Sequence, residues 1–185
     1  RHNNKGDAVK TKRLEVVTMF TRIDPKELNQ NVFFLIGEQW MLITAGMKEK
    51  CNTMTASWGG LGVLWGGPVA TVYIRPQRYT LEFVENSEFF TCPSLAGIPQ
   101  GPGLCGSKSG RELDKVKECG FTVAEAGCGA PYFAEAELVL VCRKVYWQDI
   151  DPTHFLDPVT DEKWYPEKDY HRMYIGKIVE AYRKK

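Results

Sequence analysis

Apolar residues recur along most of the chain with the period of a strand. Across residues 69–75, Ala70, Val72 and Ile74 share one face, and Thr71, Tyr73 and Arg75 share the other. That period-two alternation marks a half-buried β-strand. It returns across residues 131–146, where Ala134, Ala136, Leu138, Leu140 and Cys142 alternate with Glu135, Glu137, Val139, Val141 and Arg143. Residues 14–20, 40–45, 89–92 and 173–182 complete the predicted strands.

Helical spacing is confined to short segments. Asp24-Pro25-Lys26-Glu27 combines a capping aspartate, a proline suited to the first helical turn and a capping-box glutamate. Leu28, Val32, Leu35 and Ile36 then continue one apolar face, and Gly37 ends it. A second helix is predicted from Thr80 to about Asn86. A third starts at the capping box Ser109-Gly110-Arg111-Glu112, carries Leu113, Val116 and Cys119 on one face, and closes at Gly120. Residues 93–110 are rich in Pro, Gly and Ser and read as a long loop. No strand–helix–strand rhythm runs along the chain. Roughly six or seven strands and about three helices therefore predict an antiparallel sheet closed into a small barrel, with helices over its openings.

Composition narrows the setting. The 185 residues suit one domain over 14–185 behind a flexible polar segment 1–13, and 43% hydrophobic residues suffice for a sizeable core. A formal net charge of +1 gives no field that would recruit nucleic acid or anionic membrane. The apolar runs are too short to span a bilayer, and the first residues lack a signal-peptide core. Six cysteines without a Cys-x-x-Cys pair read as mostly reduced thiols of a cytoplasmic protein. Cys119 and Cys142 fall on apolar faces, whereas Cys51, Cys92 and Cys105 lie near expected loops and are open to exposure. The three histidines show no ligand spacing, so no metal site is expected. Gly60-Leu61-Gly62 lacks the third glycine of a dinucleotide fingerprint, and residues 101–109 carry one residue too many for a P-loop.

Two stretches concentrate polar chemistry. In Asn52-Thr53-Met54-Thr55-Ala56-Ser57-Trp58, hydroxyls and an amide crowd beside an apolar run; such groups bond to the protein or await a ligand. Arg75-Pro76-Gln77-Arg78-Tyr79-Thr80 ends a strand and opens a helix, a setting that favours a phosphate. The residues alone leave open a plainer arrangement, with Arg75 paired to a carboxylate and Thr80 serving as an N-cap. Ser109, Arg111 and Lys115 form a third cluster, with Arg111 best placed on a solvated helix face.

The order of these motifs resembles the flavin reductase-like family of FMN-binding split barrels, most nearly its flavoredoxin-like branch. It is carried by residues 52–58, Pro68, Arg75-Pro76-x-Arg78-x-Thr80, Ser109-Gly110-Arg111-x-x-Asp114-Lys115, Glu135-Ala136-x-Leu138 and the closing strand from His171. The resemblance covers about residues 20–182. It implies a mainly β fold, a six-stranded antiparallel Greek-key split barrel with flanking helices. It also implies a homodimer with FMN near the subunit interface.

Under that resemblance, Asn52, Thr53, Met54, Thr55, Ala56 and Ser57 would line the isoalloxazine and ribityl chain. Trp58 would pack near the ring or in the core. Arg78, Thr80 and Lys115 would be the phosphate candidates, with Arg75, Gln77, Tyr79 and Ser109 beside them. His171 would be the catalytic candidate, near the flavin and the nicotinamide path. NADH or NADPH would be the reductant; the alternative is an FMN electron carrier serving a redox protein such as ferredoxin. Cys51 stands where family members often carry another residue, next to the expected flavin.

Overall fold

The structure is a computed structural model that describes residues 19–95 and 100–185, with side chains described for 19–95 and 103–185. The expected segment 1–13 and the start of the expected strand from Leu14 lie outside the described residues. Ten strands are present among the described residues: β1 (Phe20–Ile23), β2 (Met41–Met47), β3 (Lys50–Ala56), β4 (Gly59–Leu64), β5 (Gly67–Ile74), β6 (Phe89–Ser94), β7 (Val123–Glu125), β8 (Pro131–Phe133), β9 (Leu138–Asp149) and β10 (Arg172–Lys184). The main sheet has eight strands in the order β3-β2-β6-β9-β10-β5-β4, with β1 added alongside β10. Every pairing in it is antiparallel. β7 and β8 form a separate hairpin.

The sheet curls around its own interior. One cluster of buried side chains takes Ile43 from β2, Met54 from β3, Val72 from β5, Phe90 from β6, Leu140 from β9 and Tyr174 from β10, with Leu61 of β4 packed against it. Strands from both ends of the order thus meet in one core, which makes a barrel split between β3 and β4. The expected alternation holds in β5, where Ala70, Val72 and Ile74 are all buried. In β9, Leu140 and Cys142 point into the barrel, while Val139 and Val141 enter a second cluster with Leu42, Leu95, Phe121 and Phe133.

Several elements differ from the sequence expectation. The sheet has eight strands rather than six, because the hydroxyl-rich stretch is itself a strand and Gly59–Leu64 forms a hairpin with β5. The expected strand 131–146 is broken between β8 and β9. There Ala136 N–H donates to Phe133 O at 3.0 Å, and the Glu135 carboxylate accepts from Thr122 N–H at 3.0 Å, so the chain turns. The first expected helix is also broken. Asp24 caps only the 3-10 turn Pro25–Glu27, and Asn31 starts α1 (Val32–Gly37) by accepting from the N–H groups of Phe33 and Phe34. The predicted inner face survives, since Leu35 and Ile36 are buried and Leu28 and Val32 pack on the same core.

The second expected helix is α2 (Thr80–Glu85). Within the expected loop 93–110 lies α3 (Gln100–Ser107). The capping box at Ser109 gives a turn instead of a helix start: Ser109 Oγ accepts from Arg111 N–H at 3.2 Å. Asp114 is the true cap of α4 (Lys115–Glu118). The remaining helix is α5 (Pro158–Trp164), capped by Asp157 within the long excursion between β9 and β10. Among the described residues, no helix is long and apolar enough to cross a membrane.

Candidate functional site

Among the described residues β3 ends the strand order, paired with β2. Its first half spends its polar groups inside the protein. Thr53 Oγ1 lies 2.8 Å from Thr44 Oγ1 across the strand pair, and both residues are fully buried. Asn52 is buried and donates through Nδ2 to Thr80 Oγ1 at 2.8 Å. Thr80 therefore is no N-cap; Tyr79 holds that position without a side-chain bond. Gly110 presses on this pair so closely that a Cβ there would lie 2.1 Å from Asn52 Oδ1.

Lys115 is buried and donates to Thr53 O at 2.9 Å and Cys105 O at 2.8 Å. Burial pushes its pKa down. Arg78 donates to Gly106 O at 2.7 Å. Two cations from different elements thus hold the last turn of α3, and Lys115 also ties it to β3. Each cation lines a different cavity.

The first cavity, about 560 Å³, is bordered by Asn52, Tyr79, Gly110, Arg111 and Lys115. Its rim is exposed: Arg111 pairs with Glu82 and lies 4.6 Å over the Tyr79 ring. The second is a cleft of about 200 Å³ where β3 runs into β4. Met54, Thr55, Ala56, Ser57 and Trp58 form one wall, and Arg75, Arg78 and His171 face them. Of the sequence candidates, these eight come together. Asn52, Tyr79 and Lys115 border the other cavity, Thr53 and Thr80 are engaged in the interior, and Ser109 shapes the turn before α4.

Charge in the cleft is positive. Arg75 donates to Asp169 Oδ2 at 2.5 Å and to Trp164 O at 2.8 Å, and Gln77 donates to the same Asp169 oxygen at 2.6 Å. The plainer role foreseen for Arg75, pairing with a carboxylate, is thus present. Two bonds hold the Asp169 carboxyl below its ordinary range. Burial and the neighbouring Arg75 charge both weigh against the Arg78 charge, an imbalance that an anion in the cleft would relieve. His171 is buried, and its Nδ1 lies 2.8 Å from the Tyr165 hydroxyl. Burial first, then Arg75, pushes its pKa down to about 4, so the imidazole is neutral at pH 7.

Aromatic rings close the cleft. The Trp58 ring lies 5.0 Å from Trp164 in an edge contact and 5.0 Å from His171. Tyr73 completes the lining. Trp164, Tyr165 and Asp169 were not legible as site residues. Their one sequence signal is the aromatic and acidic density of residues 161–170 just before His171.

All six cysteines are free thiols. Cys92 and Cys105 are buried, contrary to the expectation from their place near loops, because β6 extends past Cys92 and α3 docks Cys105 inward. Burial raises Cys51 to about 11 and Cys105 to about 12. Among the described residues, no group of three or more His, Cys, Asp or Glu side chains is placed to hold a metal ion.

No protein-family model matches the sequence, and no curated protein is significantly similar to it. Solved structures do share its fold. An FMN-binding domain of a flavin reductase-like enzyme from Shewanella baltica aligns with a TM-score of 0.62 at 21% identity, over 89% of this chain and 77% of that one. Flavoredoxin from Methanosarcina acetivorans aligns with a TM-score of 0.62 at 24% identity, over 86% and 75% of the two chains. An NADH:FAD oxidoreductase from Streptomyces globisporus, in complex with NAD and FAD fragments, aligns at 0.58 and 15% identity, over 99% and 86%. The fold is that of the split-barrel flavin reductase-like proteins and flavoredoxins.

Proposed function

We propose that this chain is an FMN-binding oxidoreductase, working as an NAD(P)H-dependent flavin reductase or a flavoredoxin-like electron-transfer protein. The observation that carries this reading is the cleft at the β3–β4 junction. It sets a strand edge, two arginines, three aromatic rings and a neutral histidine around one space. The donor set suits the cofactor. The wall from Met54 to Trp58 carries the Thr55 and Ser57 hydroxyls beside its own backbone groups, and a flavin ring needs donors and acceptors along its polar edge. Arg78, with Arg75 beside it, would hold the phosphate. Trp58 and Trp164 would exclude water from one face of the ring.

Bound FMN would supply the two-electron chemistry, taking a hydride equivalent and passing electrons on. His171 stays neutral there and offers its other ring nitrogen, Nε2, as a hydrogen-bond partner without adding charge. Its bond to Tyr165 fixes the ring plane.

We also propose that the chain pairs with a second copy. Val63 and Trp65 at the β4–β5 turn are 80% and 67% exposed, and Tyr146 on β9 is 41% exposed. Trp65 and Tyr146 lie 6.2 Å apart, so these side chains form one apolar face.

The test of function is the visible spectrum of the purified protein, followed by release of FMN on denaturation. Anaerobic NADH or NADPH then bleaches the flavin if the protein is a reductase. Flavin that only a reduced redox protein such as ferredoxin bleaches would assign the carrier role. A colourless protein that fails to take up FMN would overturn the reading.

A further inference from the structure

A second chamber adjoins the arginine-lined cleft. It has a volume of about 430 Å³, within the range of roughly 300–1,000 Å³ usual for small-molecule sites. Trp58, Tyr73 and Trp164 line both spaces, so they form a shared wall. The rest of the chamber comes from the excursion between β9 and β10: Ile150, Phe155, Thr160 and Tyr165.

The two spaces differ in chemistry. The cleft has two guanidiniums and hydroxyls, whereas among the described residues no charged side chain lines the chamber. Two of the three hydroxyls on its lining side chains, those of Thr160 and Tyr165, are already engaged. Thr160 Oγ1 donates to Asp157 Oδ2 at 2.8 Å, and the Tyr165 hydroxyl is bonded to His171 Nδ1. Rings dominate what remains. Trp58 and Trp164 stand at 89° to each other, and Phe155 lies 6.0 Å from Tyr165, tilted by 53°. Non-parallel ring walls offer both faces and edges to a guest ring.

We propose that this chamber binds an uncharged planar aromatic molecule of one or two rings, a quinone-class acceptor that would take two electrons and two protons from reduced flavin across Trp58 and Trp164 and leave as the hydroquinone. A phosphorylated or carboxylated guest would find no countercharge and would lose its hydration on entry. The role as acceptor site rests on the proposed flavin function; the binding itself does not.

The test is isothermal titration of the purified protein with 2-naphthol and, separately, with FMN. Saturable one-to-one binding of 2-naphthol is expected. Thr160→Phe, which fills the chamber, and Phe155→Ala, which removes one wall, should each weaken it at least tenfold. Both sites belong to the surface excursion, so FMN affinity should stay within twofold and thermal melts should show folded variants. Absent saturable binding, equal binding of 2-naphthalenesulfonate, or indifference to both variants would overturn the proposal. So would loss of 2-naphthol binding on saturation with FMN, which would assign the chamber to the flavin ring. A protein that binds 2-naphthol but not FMN keeps the chamber and loses the flavin function; the reverse result keeps the function and removes the chamber.

Discussion

The Tyr165 hydroxyl and His171 Nδ1 are joined across 2.8 Å, which ties the excursion between β9 and β10 to the first turn of the closing strand. The histidine sits next to Arg172, whose guanidinium grips both oxygens of Asp149 at 2.6 and 2.8 Å. The imidazole is therefore placed from two sides, and burial keeps it neutral.

That placement makes stability depend on pH. His171 is held at about 4 in the folded chain, against 6.5 for a free imidazole, so between these values the unfolded state binds more protons. The contribution is complete above pH 6.5 and is lost as pH falls through about 4. Urea unfolding at pH 7.5 and pH 5 should show a fall in stability of about 1–2 kcal/mol that His171→Gln removes. Equal pH dependence in the two proteins would contradict the neutral buried imidazole.

Arg78→Ala should weaken FMN binding about 10–100-fold, the effect of losing a charge-assisted contact of ~1.5–3 kcal/mol. Flavin fluorescence quenching measures it. Arg111→Ala, on the rim of the other cavity, should leave FMN affinity within about twofold, because the contacts of Arg111 are exposed.

Lys115→Met should destabilise the fold by about 2–4 kcal/mol. It removes the donor to two buried carbonyls, those of Thr53 and Cys105, and each carbonyl left unpaired costs about 1–3 kcal/mol. Denaturant midpoints report the loss. The same variant should speed protease cleavage near α3, since the Lys115 tether between α3 and β3 is gone.

Gly110→Ala should cost about 1–3 kcal/mol, because the new methyl would displace the Asn52 amide from Thr80. A melting temperature equal to the parent's would show that the turn yields.

Thiol titration with an aromatic disulfide at pH 8 should find one fast cysteine. Cys128 alone is exposed, whereas Cys92, Cys105 and Cys142 are buried. Cys128→Ser should abolish the fast phase. A rapid reaction at Cys51 would contradict its thiol being raised to about 11.

Much of this molecule was legible in the order of its residues. The inner face of β5 follows from simple alternation, and Arg78 and His171, both candidates from sequence, line one cleft. What escaped was set by distant contacts. Residues 100–107 are rich in glycine and carry a proline, so their own preference is for a loop. They form α3 in a setting where Arg78 and Lys115 hold its last carbonyls. The division of the candidates between two cavities was equally hidden. It depends on α3 lying over β3, and strand periodicity says nothing of what covers a strand. Trp164 reaches Trp58 across a separation in sequence that no local pattern spans.

β9 contributes Leu140 and Cys142 to the barrel interior and Val139 and Val141 to the outer cluster. A single strand is thus common property of both hydrophobic bodies. Neither can open while the other stays intact, so the chain should lose its structure in one cooperative step. The amides of Val139, Leu140 and Val141 should be the last to exchange with deuterated solvent, released only when the entire molecule unfolds.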